Sequence, residues 1–251
     1  MDVYQKKPEH LQAGDPHALG EAWVWRAMAL PSRWRVGPHL SHQRREKEAI
    51  AFLAKLKART DGRPPLLTSD KLPAYVDALI ANDSTPEPPP VNRGPGRPRP
   101  PSRRVLDPEG CDAQVDKRRE QGRVVEVRRR IIFGTPEIIT EILGSQQINT
   151  SYVERDNLTS RQSHGRLVRT TRSHSKKAYY LQQHLDLEDA VFNCVPPHLS
   201  LRVALPQPIN SRKWQQRTPA MAAGLTDHMW PLEELLSYRV PPGEVTWRFP
   251  A

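Results

Sequence analysis

The sequence predicts an α/β fold, a sheet with flanking helices. Three stretches predict it. Residues 21–41, "EAWVWRAMALPSRWRVGPHLS", alternate tryptophan and valine with other residues and read as two short strands split at "LPS". Residues 41–60 place Ile50, Leu53, Leu56 and Lys57 at helical spacing among alanines. Leu66–Ser69 is a short apolar run, and a helix follows from Pro73. With "MDVYQ" as a first strand, the order is strand, strand, strand, helix, strand, helix, which points to an α/β sheet.

Residues 84–104, "STPEPPPVNRGPGRPRPPSRR", interrupt this pattern. Proline and glycine dominate, so the stretch reads as an extended linker or surface loop without a packed core. Residues 111–134 then predict a β-hairpin about Gly122, with Val124, Val125, Val127 and Ile131 as strand formers. Residues 135–145, "TPEIITEILGS", predict a short helix, with Pro136 in its first turn and Gly144 as its stop. A helix opening at "NTSYVERDN" (149–157) comes next, then one from Ser175 to about Asn193. The sequence divides at 205 into a main domain, 1–205, and a tail, 206–251, with one short helix in "LEELLSY".

Composition narrows the function classes. Lys and Arg total 38 against 28 acids, a net charge of +10, which favours a polyanionic partner through counterion release. The two cysteines, Cys111 and Cys194, lack metal-ligand spacing and form no disulfide framework, which suits a reducing cytoplasm. No apolar run approaches the roughly 18 residues of a membrane span, and the first ten residues lack the apolar core of a signal peptide.

Two carboxylates stand where chemistry is possible. Asp70 ends the run "LLTSD", and active groups of open α/β sheets gather at the carboxyl ends of strands. It equally suits a turn or a helix cap. Glu154 fits a capping box, with Ser151 at the cap and Glu154 reaching back to its N–H. It also shares a helix face with Asn157, Leu158 and Arg161, a grouping that suits a cation beside a phosphodiester. Both readings stay open on the residues alone.

The stretches "TSDKLPAYVDALI", "INTSYVERDNLTSRQ", "GRLVRTTRSHSKK", "VFNCVPPHLSLR" and "RTPAMAAGLTDHMWPLEELLSYRVPP" together resemble the DDE transposases of bacterial insertion sequences, in particular the relatives of insertion sequence one. The likeness runs from residue 1 to about 242. It implies an RNase H-like mixed sheet with flanking helices, interrupted by the Pro-rich loop. It also implies three acids holding two Mg²⁺ (or Mn²⁺) ions that cleave and transfer DNA strands. Matched to the family's motifs, the second acid is Asp70 and the third Glu154. Asp2 is the first, since Asp15 stands in loop-like surroundings.

The sequence departs from the family in three places, the first being "PEGCDAQ" (108–114), where relatives have a smoother apolar strand start. "VPPH" (195–198) stands where Arg-Pro-His is usual, and the family's N-terminal end-recognition region has no counterpart, implying a truncated, decaying copy. The expected partner is double-stranded DNA, bound by a homo-oligomer when active. Asn157, Arg161, Arg166, Arg169, Arg172, Lys176 and Lys177 form the expected DNA face. "NRGPGRPRPP" (92–101) is a weaker match to a minor-groove hook. The alternative is a non-catalytic basic DNA-binding protein whose acids only cap helices.

Overall fold

The computed structural model describes residues 2–4, 21–60, 64–87, 102–105, 111–168, 173, 175, 177–209 and 211–239; of 2–4, 21, 85–87, 102–105 and 209 it describes the backbone. In chain order the elements are β1 (Asp2–Tyr4), β2 (Glu21–Trp25), β3 (Met28–Ala29), β4 (Trp34–Arg35), β5 (His39–Ser41), α1 (Glu46–Arg59), β6 (Leu66–Asp70), α2 (Ala74–Asp83), β7 (Ser84–Glu87), β8 (Ser102–Val105), β9 (Cys111–Glu120) and β10 (Arg123–Phe133). There follow α3 (Pro136–Leu143), α4 (Ser151–Ser163), α5 (Ala178–Cys194), β11 (Val203–Ile209), β12 (Arg212–Gln215), α6 (Pro219–Ala222) and α7 (Leu232–Ser237). The fold is mixed α/β, as expected. Contacts divide it into two compact units, Met1–Ala27 with His39–Ala178, and Met28–Pro38 with Tyr179–Ala251.

The first unit holds an antiparallel sheet of order β1-β2-β5 and a mixed sheet of order β10-β9-β6. In the mixed sheet β6 runs parallel to β9, and β10 runs antiparallel to β9. The hairpin turns at Gln121 and Gly122, both at positive φ (48° and 81°), the backbone of a two-residue type I′ turn. Trp25 anchors the core: its ring lies 5.9 Å from Phe52 of α1 and 5.8 Å edge-on from Tyr75 of α2, and its indole N–H donates to Ser41 Oγ at 2.8 Å. Ala49, Phe52, Leu53 and Leu56 form the buried stripe of α1; of the expected positions Leu53 and Leu56 belong to it, while Ile50 is half-buried and Lys57 exposed.

Two expectations need correction here. The stretch 21–41 forms four strands, not two, because β3 and β4 make a separate hairpin that clusters with the second unit. The Pro-rich stretch is not linker throughout: its ends pair as β7 and β8, Ser84 opposite Val105 and Glu87 opposite Ser102. Residues 88–101, with the hook-like 92–101, lie outside the described residues.

The second unit is organised by a buried cation. Arg35 is 3% exposed; its Nη1 donates to Glu188 Oε1 at 2.8 Å and to Asp189 Oδ1 at 3.3 Å. Its guanidinium lies 3.7 Å from the Phe192 ring centroid. Asn193 closes the arrangement by bonding both main-chain groups of Arg35 at 2.9 Å, as a neighbouring strand would. The two buried acids of α5 share this one cation, which offsets part of the cost of burying them.

Gly134 ends β10 at φ 88°, and a Cβ built there meets Cys111 Sγ at 2.3 Å and the Cys111 Cα at 3.2 Å. Gly122 also has positive φ, but a Cβ there meets nothing within 4 Å. We expect Gly134→Ala to cost about 2–4 kcal/mol, backbone strain plus overpacking, and Gly122→Ala only about 1 kcal/mol. Denaturant unfolding of both variants checks this; equal losses would contradict the packing at Cys111.

Candidate metal centre and nucleic-acid face

Strand register brings two of the expected residues to one face. Asp70, the last residue of β6, stands opposite Val115 of β9. Side chains two residues apart on a strand share a face, so Asp70, Val115 and Lys117 point the same way. Arg129 is paired with Val115 across the hairpin and belongs to that face as well. The segment leading into α4 covers it: Arg129 Nε donates to the Ile148 carbonyl at 2.7 Å, and Lys117 Nζ donates to Glu154 Oε1 at 2.6 Å. Asp70 and Glu154 therefore flank the same face at the carboxyl end of β6.

The expected capping box does not form. Thr150, not Ser151, is the N-cap of α4, which moves Glu154 one place too far to reach the cap's N–H. Asn149 Oδ1 instead accepts from both the N–H (3.2 Å) and the hydroxyl (2.6 Å) of Ser151. Glu154 Oε1 accepts from the Thr150 hydroxyl at 2.6 Å. Partial burial works to raise the Glu154 pKa, but the hydrogen bonds from Lys117 and Thr150, with Arg119 nearby, win and hold it below its ordinary value.

Asp70 is exposed, and its Oδ2 accepts from Arg44 at 2.8 Å while its Oδ1 accepts from the N–H of Leu72 at 3.3 Å. The turn reading is thus realised alongside the ion pair. Arg44 also stands over the Trp23 ring at 5.4 Å. Trp23 is the register partner of Asp2 on β1, so one guanidinium links Asp70 to the part of the sheet where Asp2 lies. The side chain of Asp2 is outside the description.

α4 turns a polar side inward. Asp156 and Ser160 are buried against Arg26, whose Nη1 lies 3.5 Å from Asp156 Oδ2 and donates to Ser160 Oγ at 2.9 Å. This fixes the rotation of the helix and leaves Glu154, Asn157, Leu158 and Arg161 on another side. Leu158 is exposed there, and Asn157 and Arg161 are half-buried. Arg166 is exposed and donates to Ser175 Oγ at 3.3 Å, and Lys177 is exposed. Arg169, Arg172 and Lys176 lie outside the described residues.

The donor set fits a hard cation in its chemistry. Asp70 and Glu154 offer carboxylate oxygens, and Asn157, one turn beyond Glu154, has a buried Oδ1 with no hydrogen-bond partner. Among the described residues no group of three or more His, Cys, Asp or Glu side chains is assembled to hold a metal. Both carboxylates spend their charge on Arg44 and Lys117.

Sequence reasoning missed Lys117, Arg44 and Arg26. The signal for Lys117 was present in the hairpin alternation, which puts it on the face of Val115; Arg44 and Arg26 precede or follow elements and carry no local pattern. No helix among the described residues is long and apolar enough to cross a membrane. In comparisons with known proteins, no family model, no curated protein and no solved structure matches this chain.

Proposed function

We propose that the chain is a DDE-type DNA strand-transfer enzyme with an RNase H-like fold, similar to the transposases of bacterial insertion sequences. One observation carries the reading: Asp70 at the end of β6 and Glu154 on α4 flank one face of the mixed sheet. The element order supports it, once the β3–β4 and β7–β8 hairpins are set apart: β1, β2 and β5 of one sheet, then α1, β6, α2, and β9 parallel to β6. β1 and β6 each pair with a single strand among the described residues. Pairing their remaining edges would merge the two sheets into the single mixed sheet that the resemblance implies.

Asp2, Asp70 and Glu154 would hold two Mg²⁺ or Mn²⁺ ions, which when bound supply an activated water or 3′-hydroxyl and stabilise the leaving oxygen. The chain's own part is positional. The β6–β9 register sets Asp70, the Arg26 contacts set the rotation of α4 and so Glu154, and Lys117 and Arg44 add positive charge where phosphate passes. Acting on two element ends calls for a homo-oligomer, and the reading places the protein in the cytoplasm with its DNA.

A second reading is favoured by the ion pairs Arg44–Asp70 and Lys117–Glu154, which give both acids a structural role. It makes the protein a non-catalytic DNA-binding protein. A plasmid-nicking assay decides between them. Strand cleavage in Mg²⁺ or Mn²⁺ that stops on chelation supports the enzyme; DNA binding without cleavage under either metal supports the second reading.

A further inference from the structure

A second basic feature lies outside the expected DNA face. Beyond the pairing of Asp70 with Val115, β9 has no β6 partner, and residues 116–128 continue as a two-stranded ribbon, with Arg129 and Arg130 at its base opposite Val115 and Gln114. Five residues of extended chain carry it ~17 Å past the end of β6. With Arg129 and Arg130 at its base, the ribbon holds seven cations against three acids, a net +4 within a chain of +10. The acids are engaged: Asp116 with Lys71, Glu120 with Arg118, and Glu126 with Arg128. Arg119, Arg123, Arg129 and Arg130 have no carboxylate within ion-pair distance among the described residues; Arg119 and Arg129 donate to the carbonyls of Gly122 and Ile148.

These four guanidinium groups divide between the two faces. Arg119 and Arg129 sit on the Lys117 face, whereas Arg123 pairs with Glu120 and Arg130 with Gln114 on the opposite face. A ribbon lying flat on a polyanion needs cations on one face; one inserted between two phosphate rows needs them on both. Val124, Val125 and Val127 are 43%, 52% and 38% exposed near the turn, an apolar strip suited to base edges and thymine methyls. The major groove of B-DNA, about 12 Å wide, admits a two-stranded β-ribbon.

We propose that the β9–β10 ribbon is a duplex-DNA arm that seats in the major groove with its arginines on the flanking phosphates. The proposal rests on the DNA-processing reading and adds to it where the duplex lies. Because Lys117 at the ribbon's base holds Glu154, a duplex on the arm leads directly to the candidate centre.

The test uses the full chain and a triple variant, Arg119→Gln, Arg123→Gln and Arg130→Gln, in a salt series with duplex DNA followed by fluorescence anisotropy. We expect the slope of log K against log salt to shrink by about 2.7 in the variant, and its low-salt affinity to fall by about tenfold or more. The matching triple Arg→Lys variant should keep the parent's slope, which separates lost charge from a damaged fold. If the parent binds duplex DNA and the Gln variant binds with the same affinity and slope, the arm is wrong while the reading stands. If the parent binds no DNA, both fall. Equal binding of duplex RNA, whose major groove is too deep and narrow for side-chain entry, overturns seating in the groove.

Discussion

Glu154→Gln is expected to lower metal-dependent nicking by about a hundredfold or more, the scale of removing one preorganised electrostatic contact at a reacting phosphate. Asp70→Asn should do the same. The amide oxygen introduced by Glu154→Gln can still accept from Thr150 and Lys117, the two contacts that Glu154 makes. The side chain of Glu154 is 44% exposed, so losing its charge costs the fold no more than about 1 kcal/mol. A neutral amide is a poor ligand for Mg²⁺. The comparison is one of charge, because the hydrogen bonds from Lys117 and Thr150 outweigh burial and hold the Glu154 carboxyl below its ordinary value. The sign follows from that direction: the carboxylate's contribution to stability is present above the ordinary carboxyl range and is lost as pH falls through the depressed value. Unchanged nicking in both variants, with melting temperatures also unchanged, would leave Asp70 and Glu154 as structural ion-pair partners only.

Arg35→Ala is expected to destabilise the second unit by about 3–5 kcal/mol, the cost of removing one partner from a buried ion pair. The change removes the Arg35 cation from Glu188 and Asp189, whose side chains are 5% and 6% exposed, and opens the space above Phe192. Arg35→Lys should recover only part of the loss, since a single ammonium replaces a planar group that bonds two carboxylates and stacks on a ring. Denaturant unfolding measures both. A loss below about 1 kcal/mol for Arg35→Ala would show that the acids find other partners.

What the sequence revealed follows from how local each feature is. The hairpin was readable because "QG" between two valine- and arginine-rich runs fits a turn with positive φ at both central residues. α3 was readable because Thr135 and Pro136 start it and Gly144 stops it. The inward side of α4 was hidden, since Asp156 and Ser160 are polar and only Arg26, 130 or more positions away, makes their burial tolerable. The same is true of the β3–β4 hairpin. Its place in the second unit is set by Arg35, whose partners lie more than 150 positions along the chain. The capping register failed on a smaller matter: Thr150 and Ser151 are both good caps, and Asn149 decides between them by taking the Ser151 N–H and hydroxyl. For the candidate centre, the spacing of Glu154 and Asn157 on one face was legible, but the cations against Asp70 and Glu154 come from other elements.

In the proposed enzyme Asp70 and Glu154 serve one cation site. Carbon-detected NMR of the side-chain carboxyls during a Mn²⁺ titration tests it most directly, because a bound paramagnetic ion broadens only the resonances beside it. The account predicts that Asp70 and Glu154 broaden together at the lowest Mn²⁺ additions, and that Glu154→Gln weakens the effect at Asp70. Broadening confined to other acids, such as Asp227 and Glu234 beside His228, with Asp70 and Glu154 untouched, would overturn it.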